Sequence, residues 1–199
     1  MKKSAFLFFV FLQFGCNTTK EISKDSIDIS DAKKEMKDEK DSEKINATVP
    51  YKETIILLGK ANRVGFAQTP FQSWFDKNFE SYEIDKAIIE KLKPLLKDVT
   101  IKTFMGTWCG DSKRETPRLY KILDAVNFNY DNFTLITVSP QKITPSGFEK
   151  GFNIIRVPTI IFYKKGKEMG RFVEFAQESL EKDMLAIVSG TGYKHSYED

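Results

Sequence analysis

The sequence predicts an α/β fold, because segments with strand-like and helix-like patterns alternate over most of the chain. Two apolar runs, Val99–Met105 and Phe133–Val138, have the length and composition of buried strands. Asp85–Lys97 and the stretch that follows Cys109 carry apolar residues at helical spacing and lie next to these runs. With 199 residues, the chain is long enough for one such domain and an additional segment.

Composition and charge argue against several classes of protein. The chain is 41% hydrophobic and 30% charged, as in an ordinary globular protein. Its net charge of +3 is too small to indicate a nucleic-acid partner. The two cysteines, Cys16 and Cys109, form no Cys-X-X-Cys or Cys/His cluster, so the sequence indicates no metal and no cofactor. We expect His195, close to the C-terminus, to be a surface residue without a special role.

Residues 1–15 have the pattern of an export signal. Lys2 and Lys3 precede the apolar run Ala5–Phe14, which is too short to span a bilayer. The Gly15-Cys16 pair that follows resembles a bacterial lipobox, which implies cleavage before Cys16 and lipid attached to its sulfur. An ordinary signal peptide with an incidental cysteine is the alternative. We therefore expect a membrane-anchored lipoprotein of the cell envelope, with its folded domain in the periplasm.

Residues 16–49 differ in character from the rest of the chain. They are rich in Lys, Asp, Glu and Ser, they contain no aromatic residue, and their isoleucines are isolated. Such a segment buries too little apolar surface to offset the entropy lost on ordering. It is predicted to be a disordered tether. The folded domain is then expected over 50–192, beginning at Pro50, and 193–199 is expected to be a frayed tail.

The first part of the domain combines a short strand with a group of aromatic residues. Glu53–Gly59 is predicted to be a strand ended by glycine. Aromatic residues at helical spacing then follow Pro70, namely Phe71, Trp74, Phe75 and Phe79. They form either an aromatic binding patch or a helix that covers one edge of the core, and the spacing favours the helix. The second half predicts a strand ending at Tyr163, a hairpin turn at Lys164–Lys167, a strand over Glu168–Val173 and a helix over Gln177–Ser189.

One motif stands between a strand and a helix. The strand Val99–Met105 is followed by Gly106-Thr107, then by Trp108-Cys109-Gly110-Asp111-Ser112, then by a helical pattern. A cysteine at a helix N-terminus lies next to unpaired N–H groups and the positive end of the helix dipole. Both favour the thiolate, which is the reactive form of cysteine. The pattern therefore predicts a partly exposed nucleophile at Cys109.

Two motifs together carry a family resemblance. Trp108-Cys109-Gly110-Asp111-Ser112, followed by Pro117, resembles the thioredoxin active-site motif Trp-Cys-Gly-Pro-Cys. Val157-Pro158-Thr159 resembles the segment that contains the family's cis-proline. The resemblance covers about 85–190. It implies a thioredoxin-like fold, with a central mixed β-sheet flanked by helices, to which the aromatic segment adds an N-terminal helical extension.

The resemblance also implies roles for individual residues. Cys109 matches the attacking cysteine, whereas Ser112 stands where the family has its resolving cysteine and Asp111 where it has proline. Ser112 can donate a hydrogen bond to the thiolate, but it cannot resolve a mixed disulfide. Thr103 stands where the family often has a buried acid. The positions expected to bind substrate are Trp108, Gly110, Asp111, Val157 and Pro158.

A cis Pro158 should place the Val157 backbone beside Cys109, where a bound polypeptide can pair with it. Trp108 is expected to wall this groove, with simple core packing as the alternative. The charged residues of the helix, Lys113, Arg114, Glu115 and Arg118, form either a positive rim or a solvated face.

Two functions follow from these observations. The first is a monothiol thiol-disulfide oxidoreductase or isomerase that acts through Cys109 on envelope proteins or small-thiol disulfides. The second is a non-catalytic binding or chaperone module that uses the groove beside Pro158. Retention of Cys109 and Pro158 favours the first function, whereas Ser112 and Thr103 favour the second. Replacement of Cys109 by serine would separate them.

Overall fold

The structure is a computed structural model that describes residues 44–198. The predicted export signal, the predicted lipidation site Cys16 and most of the predicted tether lie outside the described residues. The strands are β1 Thr48–Tyr51, β2 Thr54–Leu57, β3 Gly59–Ala61, β4 Val99–Met105, β5 Phe133–Thr137, β6 Thr159–Lys164 and β7 Lys167–Val173. The α-helices are α1 Gln72–Ser81, α2 Lys86–Leu95, α3 Gly110–Ala125 and α4 Leu180–Ser189.

Five strands form the central sheet, in the order β3-β5-β4-β6-β7. The β4 and β5 strands are parallel and the other neighbours are antiparallel, so the sheet is mixed. The β1 and β2 strands form a separate two-stranded sheet. This arrangement confirms the predicted thioredoxin-like fold, with a central mixed sheet flanked by helices.

The two faces of β4 pack against different parts of the chain. Alternate side chains of a strand point to opposite faces. Val99 and Ile101 belong to a buried cluster with apolar residues of α2, α3 and α4. Phe104 belongs to a second cluster, which includes Phe148 and Phe152 from segment 139–158. That segment contains turns but no helix or strand, so a loop covers the sheet where the site residues lie.

The aromatic extension forms part of the core. Phe66, Phe71 and Phe75 are buried, and the rings of Phe66 and Phe75 stack with their centroids 4.9 Å apart. Both rings also meet Tyr120 of α3 edge-on. The helix α1 therefore covers one edge of the core, as the helical spacing predicted.

Two predicted boundaries differ from the structure. β1 begins at Thr48, before the predicted domain start at Pro50, because β1 pairs with β2 and Asn46 N donates to the carbonyl of Lys60 (2.9 Å). The last helix begins at Leu180 rather than Gln177, because Ser179 caps it by accepting from Lys182 N.

The prediction of a frayed C-terminal tail is wrong for residues 193–198. Tyr193 and Ser196 make hydrogen bonds to the body of the domain. The side chain of His195 is only 11% exposed, so it is not the surface residue that the sequence suggested. None of the described helices is both long and apolar enough to cross a membrane.

Candidate functional site

Cys109 lies at the junction of β4 and α3. β4 ends at Met105, and Cys109 N donates to the carbonyl of Gly106 (2.9 Å), which closes a tight turn. The helix α3 begins at Gly110, so its first unpaired N–H groups lie next to the thiol. These N–H groups can donate to an acceptor that approaches the sulfur. Within the described residues, Cys109 is a free cysteine and is half-buried.

The turn before Cys109 requires glycine at position 106. A Cβ at Gly106 would lie 2.5 Å from the indole ring of Trp108, closer than non-bonded atoms approach. The indole Nε1 donates to the carbonyl of Val138 (2.8 Å), and the ring packs against the second core cluster. One edge of Trp108 is thus anchored in the core, while the half-buried ring remains partly exposed next to Cys109 in the chain.

The thiol of Cys109 lies beside Val157. Cys109 Sγ donates to the carbonyl oxygen of Val157 at 3.3 Å, and the Val157–Pro158 peptide is cis. The structure therefore brings together the two motifs that the sequence separates. At exposed Gly110, a Cβ would meet no other heavy atom within 4 Å, so the start of the helix is open to a ligand.

The motif predicted that Ser112 could donate a hydrogen bond to the Cys109 thiolate. In the structure the Ser112 hydroxyl is bonded elsewhere. Its side chain is fully buried, and its Oγ accepts a hydrogen bond from Gly106 N (3.1 Å). Within the described residues, no hydrogen bond joins Ser112 to Cys109. Ser112 therefore stabilises the turn that holds Cys109. Thr103 is also fully buried, and its Oγ1 has no hydrogen-bond partner, so the position that resembles the family's buried acid is uncharged.

The charges that follow the motif are paired along α3. Asp111 accepts from Arg114 (2.7 Å), and buried Glu115 accepts from Arg114 (2.7 Å) and from Arg118 (3.2 Å). Partial burial lowers the pKa of Arg114, but hydrogen bonds to Glu115 and Asp111 outweigh this effect and the pKa is raised. The arrangement is therefore an ion-pair chain rather than a positive rim or a freely solvated face. It also compensates the charge of Asp111 beside Cys109.

Sequence reasoning missed a group of residues around Pro158. Glu174 N donates to the carbonyl of Pro158 (2.8 Å), and the Glu174 carboxylate pairs with Arg156 (3.5 Å). The hydroxyl of Tyr197 donates to the same carboxylate, and its ring meets the ring of Phe175 edge-on. No sequence motif connects these residues, because they meet only when the C-terminal segment folds back.

A metal centre is not part of this arrangement. In the range 44–198, no group of three or more His, Cys, Asp or Glu side chains is placed to hold a metal ion.

Comparison with known proteins identifies the family. The thioredoxin family model matches residues 81–186, just over half of the chain. The chain belongs to the thioredoxin family. The match includes both the Cys109 turn and the Val157–Pro158 segment.

Individual relatives match a smaller share of the chain. A thioredoxin-like protein of Acanthamoeba polyphaga mimivirus is 28% identical over 89 residues, which cover 45% of this chain and 62% of the viral protein. Thioredoxin H2 of Arabidopsis thaliana is 29% identical over 84 residues, which cover 42% of this chain and 59% of the plant protein. The chain therefore matches about 60% of the length of these relatives.

Solved structures share the fold. A Pseudomonas aeruginosa protein of unknown function superposes with a TM-score of 0.51 at 18% identity, covering 67% of this chain and 94% of that one. An HIV epitope scaffold superposes with a TM-score of 0.50 at 19% identity, covering 65% of this chain and 90% of that one.

Proposed function

We propose that this protein is a monothiol thiol-disulfide oxidoreductase or isomerase that uses Cys109 as its nucleophile. The observation that carries the proposal is the position of the thiol. It is half-buried, it lies at the N-terminus of α3, and it is 3.3 Å from the Val157 carbonyl beside cis-Pro158. A substrate that pairs with this backbone edge would present its disulfide to the sulfur.

The proposed reaction is an exchange. The Cys109 thiolate attacks one sulfur of a substrate disulfide, a new disulfide forms between Cys109 and that sulfur, and the other sulfur leaves as a thiolate that takes up a proton. A second thiol, from a small molecule or from the substrate itself, then attacks the mixed disulfide and releases Cys109 as a thiolate. One disulfide is broken and one is formed in each step, so no net oxidant or reductant is required.

Within residues 44–198 Cys109 has no second cysteine beside it, and this determines how the mixed disulfide is released. Ser112 is fully buried and its hydroxyl holds Gly106 N, so it contributes to the turn and not to resolution. Release therefore depends on a thiol from outside the motif. Exchange and isomerisation need only one protein thiol, which suits this site better than the reduction of disulfides by a cysteine pair.

The proposed substrates and location follow from the sequence of the first 49 residues. We propose that residues 1–15 are an export signal, that Cys16 is lipidated, and that the following tether holds the domain near a membrane of the cell envelope. The substrates would be disulfides of envelope polypeptides or of small thiols. Replacement of Cys16 by serine should release the protein from the membrane fraction and remove the mass of the lipid.

Mixed-disulfide trapping in the full chain tests the catalytic proposal. The protein is incubated with a disulfide-containing polypeptide and with a small disulfide, and adducts are measured by mass spectrometry without reductant. The native chain should form adducts at Cys109 that a small thiol releases. Cys109→Ser should form none at that position. Failure of the native chain to react faster than a short unstructured peptide containing one cysteine would contradict the proposal.

The alternative function is a binding or chaperone module that uses the same groove without chemistry. Two observations favour it, namely the burial of Ser112 in place of a second thiol and the uncharged Thr103. Cys109→Ser separates the two functions, because it abolishes exchange but leaves binding that does not need the thiol. Suppression of aggregation by Cys109→Ser at the level of the native chain would support the alternative.

A further inference from the structure

The C-terminal segment, defined here as residues 193–198, is held against the domain by polar contacts. The hydroxyl of Tyr193 donates to the Asp183 carboxylate (3.0 Å), which also accepts from Gln177 N (2.7 Å). The side-chain amide of Gln177 donates to Ser196 (2.8 Å). One carboxylate of α4 therefore connects the turn after β7 with the start of the C-terminal segment.

Tyr197 contacts two residues next to the cis Val157–Pro158 peptide, Arg156 and Glu174. The guanidinium of Arg156 lies 4.7 Å from the centre of the Tyr197 ring, and the Tyr197 hydroxyl donates to Glu174. Arg156 precedes Val157, whose carbonyl accepts from the Cys109 thiol, and Glu174 N is bonded to Pro158 O. Tyr197 is thus held by two residues that adjoin the Val157–Pro158 segment, whose Val157 carbonyl accepts from the nucleophile.

An electrostatic effect also relates Tyr197 to the motif around Cys109. The hydrogen bond to Glu174 is the largest cause of a raised pKa for Tyr197, and the charge of Asp111 contributes in the same direction. Asp111 is two residues after Cys109 in the first turn of α3.

Large apolar side chains are exposed around Tyr197, among polar and charged neighbours. Of the seven large apolar side chains that are more than a third exposed in residues 44–198, three lie here: Ile155, Phe175 and Tyr197. The rings of Phe175 and Tyr197 meet edge-on, with their centroids 6.3 Å apart. Ile155 lines the same cavity of about 400 Å³ as Tyr197. Exposed apolar residues that cluster on a surface indicate a contact site for a partner.

We propose that Tyr197 is a specificity-determining residue, and that the C-terminal segment forms a wall of the groove beside Cys109. The occupant is an extended polypeptide that carries an apolar, preferably aromatic, side chain next to its cysteine. Arg156 and Glu174 neutralise one another, so the wall offers no net charge to attract a charged side chain. A small disulfide would react at Cys109 without reaching Tyr197. This inference rests on the proposed function.

The test compares three disulfides with the full chain. The first is a five-residue peptide with phenylalanine next to a cysteine, and that cysteine is joined by a disulfide bond to a thiol that is coloured when released. The second peptide has serine in place of the phenylalanine. The third is a small disulfide with the same leaving thiol. Tyr197→Ala should slow the reaction of the phenylalanine peptide about threefold to tenfold, the range expected for loss of one aromatic contact. The other two rates should change less than about twofold.

Two variants make the comparison specific. Tyr197→Phe keeps the ring, so it should retain most of the preference for the phenylalanine peptide. Tyr130→Ala is the matched control, because Tyr130 is also exposed and bonded to a carboxylate, but it precedes β5, at the opposite end of the sheet from Cys109. An equal change for all three disulfides, or no change for the phenylalanine peptide, would overturn the proposal.

A second measurement separates this inference from the proposed function. The phenylalanine peptide with serine in place of its cysteine cannot react. Its affinity for Cys109→Ser therefore measures non-covalent binding in the groove, without disulfide exchange. Addition of Tyr197→Ala should weaken that affinity about threefold to tenfold. Unchanged affinity would refute the role of Tyr197 even if exchange occurs. Weakened affinity would support the wall even if no exchange is detected.

Discussion

Ser112 provides a direct test of how the site is built. Its side chain is fully buried, and its Oγ accepts a hydrogen bond from Gly106 N at 3.1 Å. Ser112→Ala removes the acceptor and leaves a buried N–H group without a partner. Such a loss costs about 1–3 kcal/mol. A domain of this size loses about 2–4 °C in Tm for each kcal/mol, so the expected decrease is roughly 2–12 °C.

The same variant tests whether Ser112 assists the nucleophile. Because Ser112 contacts the turn and not the sulfur, alkylation of Cys109 at a fixed pH should change less than about tenfold, the effect of one net hydrogen bond. Thermal unfolding and iodoacetamide kinetics are measured on the same full-length samples. Ser189→Ala is the control, because that hydroxyl is exposed at the end of α4 and its loss should cost little. An unchanged Tm together with a collapse of alkylation would refute the structural role.

Three further predictions concern the site and its supports. Ser112→Cys should form a disulfide with Cys109 on mild oxidation, measured as the loss of two free thiols, whereas two persisting thiols would show that the buried position cannot reach the sulfur. Gly106→Ala should destabilise the fold by roughly 1–3 kcal/mol, because its Cβ would lie 2.5 Å from the Trp108 ring; a native Tm and native tryptophan fluorescence would contradict this. Burial raises the pKa of Asp183 above its ordinary value, despite hydrogen bonds from Gln177 and Tyr193 that oppose the shift. Between the ordinary pKa of an aspartate and the raised pKa, the folded state therefore binds more protons than the unfolded state. The free energy of unfolding of the native chain, relative to that of Asp183→Asn, should fall as the pH rises through the raised pKa. Urea unfolding of both chains at pH 4 and pH 7 measures this difference in the free energy of unfolding. An advantage of the native chain over Asp183→Asn that grows toward pH 7 would contradict the prediction.

The sequence predicted most of the fold, because the elements of the second half have strong local patterns. The run Val99–Met105 is rich in β-branched and apolar residues, and it forms β4 with the predicted bounds. The turn at Lys164–Lys167 could be predicted because it contains Gly166, and glycine readily adopts the positive φ angles that a tight hairpin needs. In the structure both Lys165 and Gly166 have positive φ. The proximity of Cys109 and Val157 was predicted only through the family resemblance, since nothing local connects two segments so far apart.

Other features could not be predicted because they depend on tertiary contacts. The buried role of Ser112 requires the turn at Gly106 to be known in three dimensions. The sequence of the C-terminal segment is mostly polar. The ring side chains at alternate positions, Tyr193, His195 and Tyr197, are the local sign that one side of the segment faces the domain. Glu174 meets Tyr197 across 23 positions of the chain, which no periodicity reveals.

The loop that covers one side of the sheet has a consequence for the motions of the site. Segment 139–158 lacks helix and strand, yet its residues help to enclose Trp108, Cys109 and Val157 in the second core cluster. Local opening costs less free energy where regular backbone hydrogen bonds are few. Amide hydrogens of this segment should therefore exchange with solvent before those of β4 and α3. Cys109 would then stay fixed to β4 and α3, while Val157 and the rest of the segment on its other side can adapt to a bound chain.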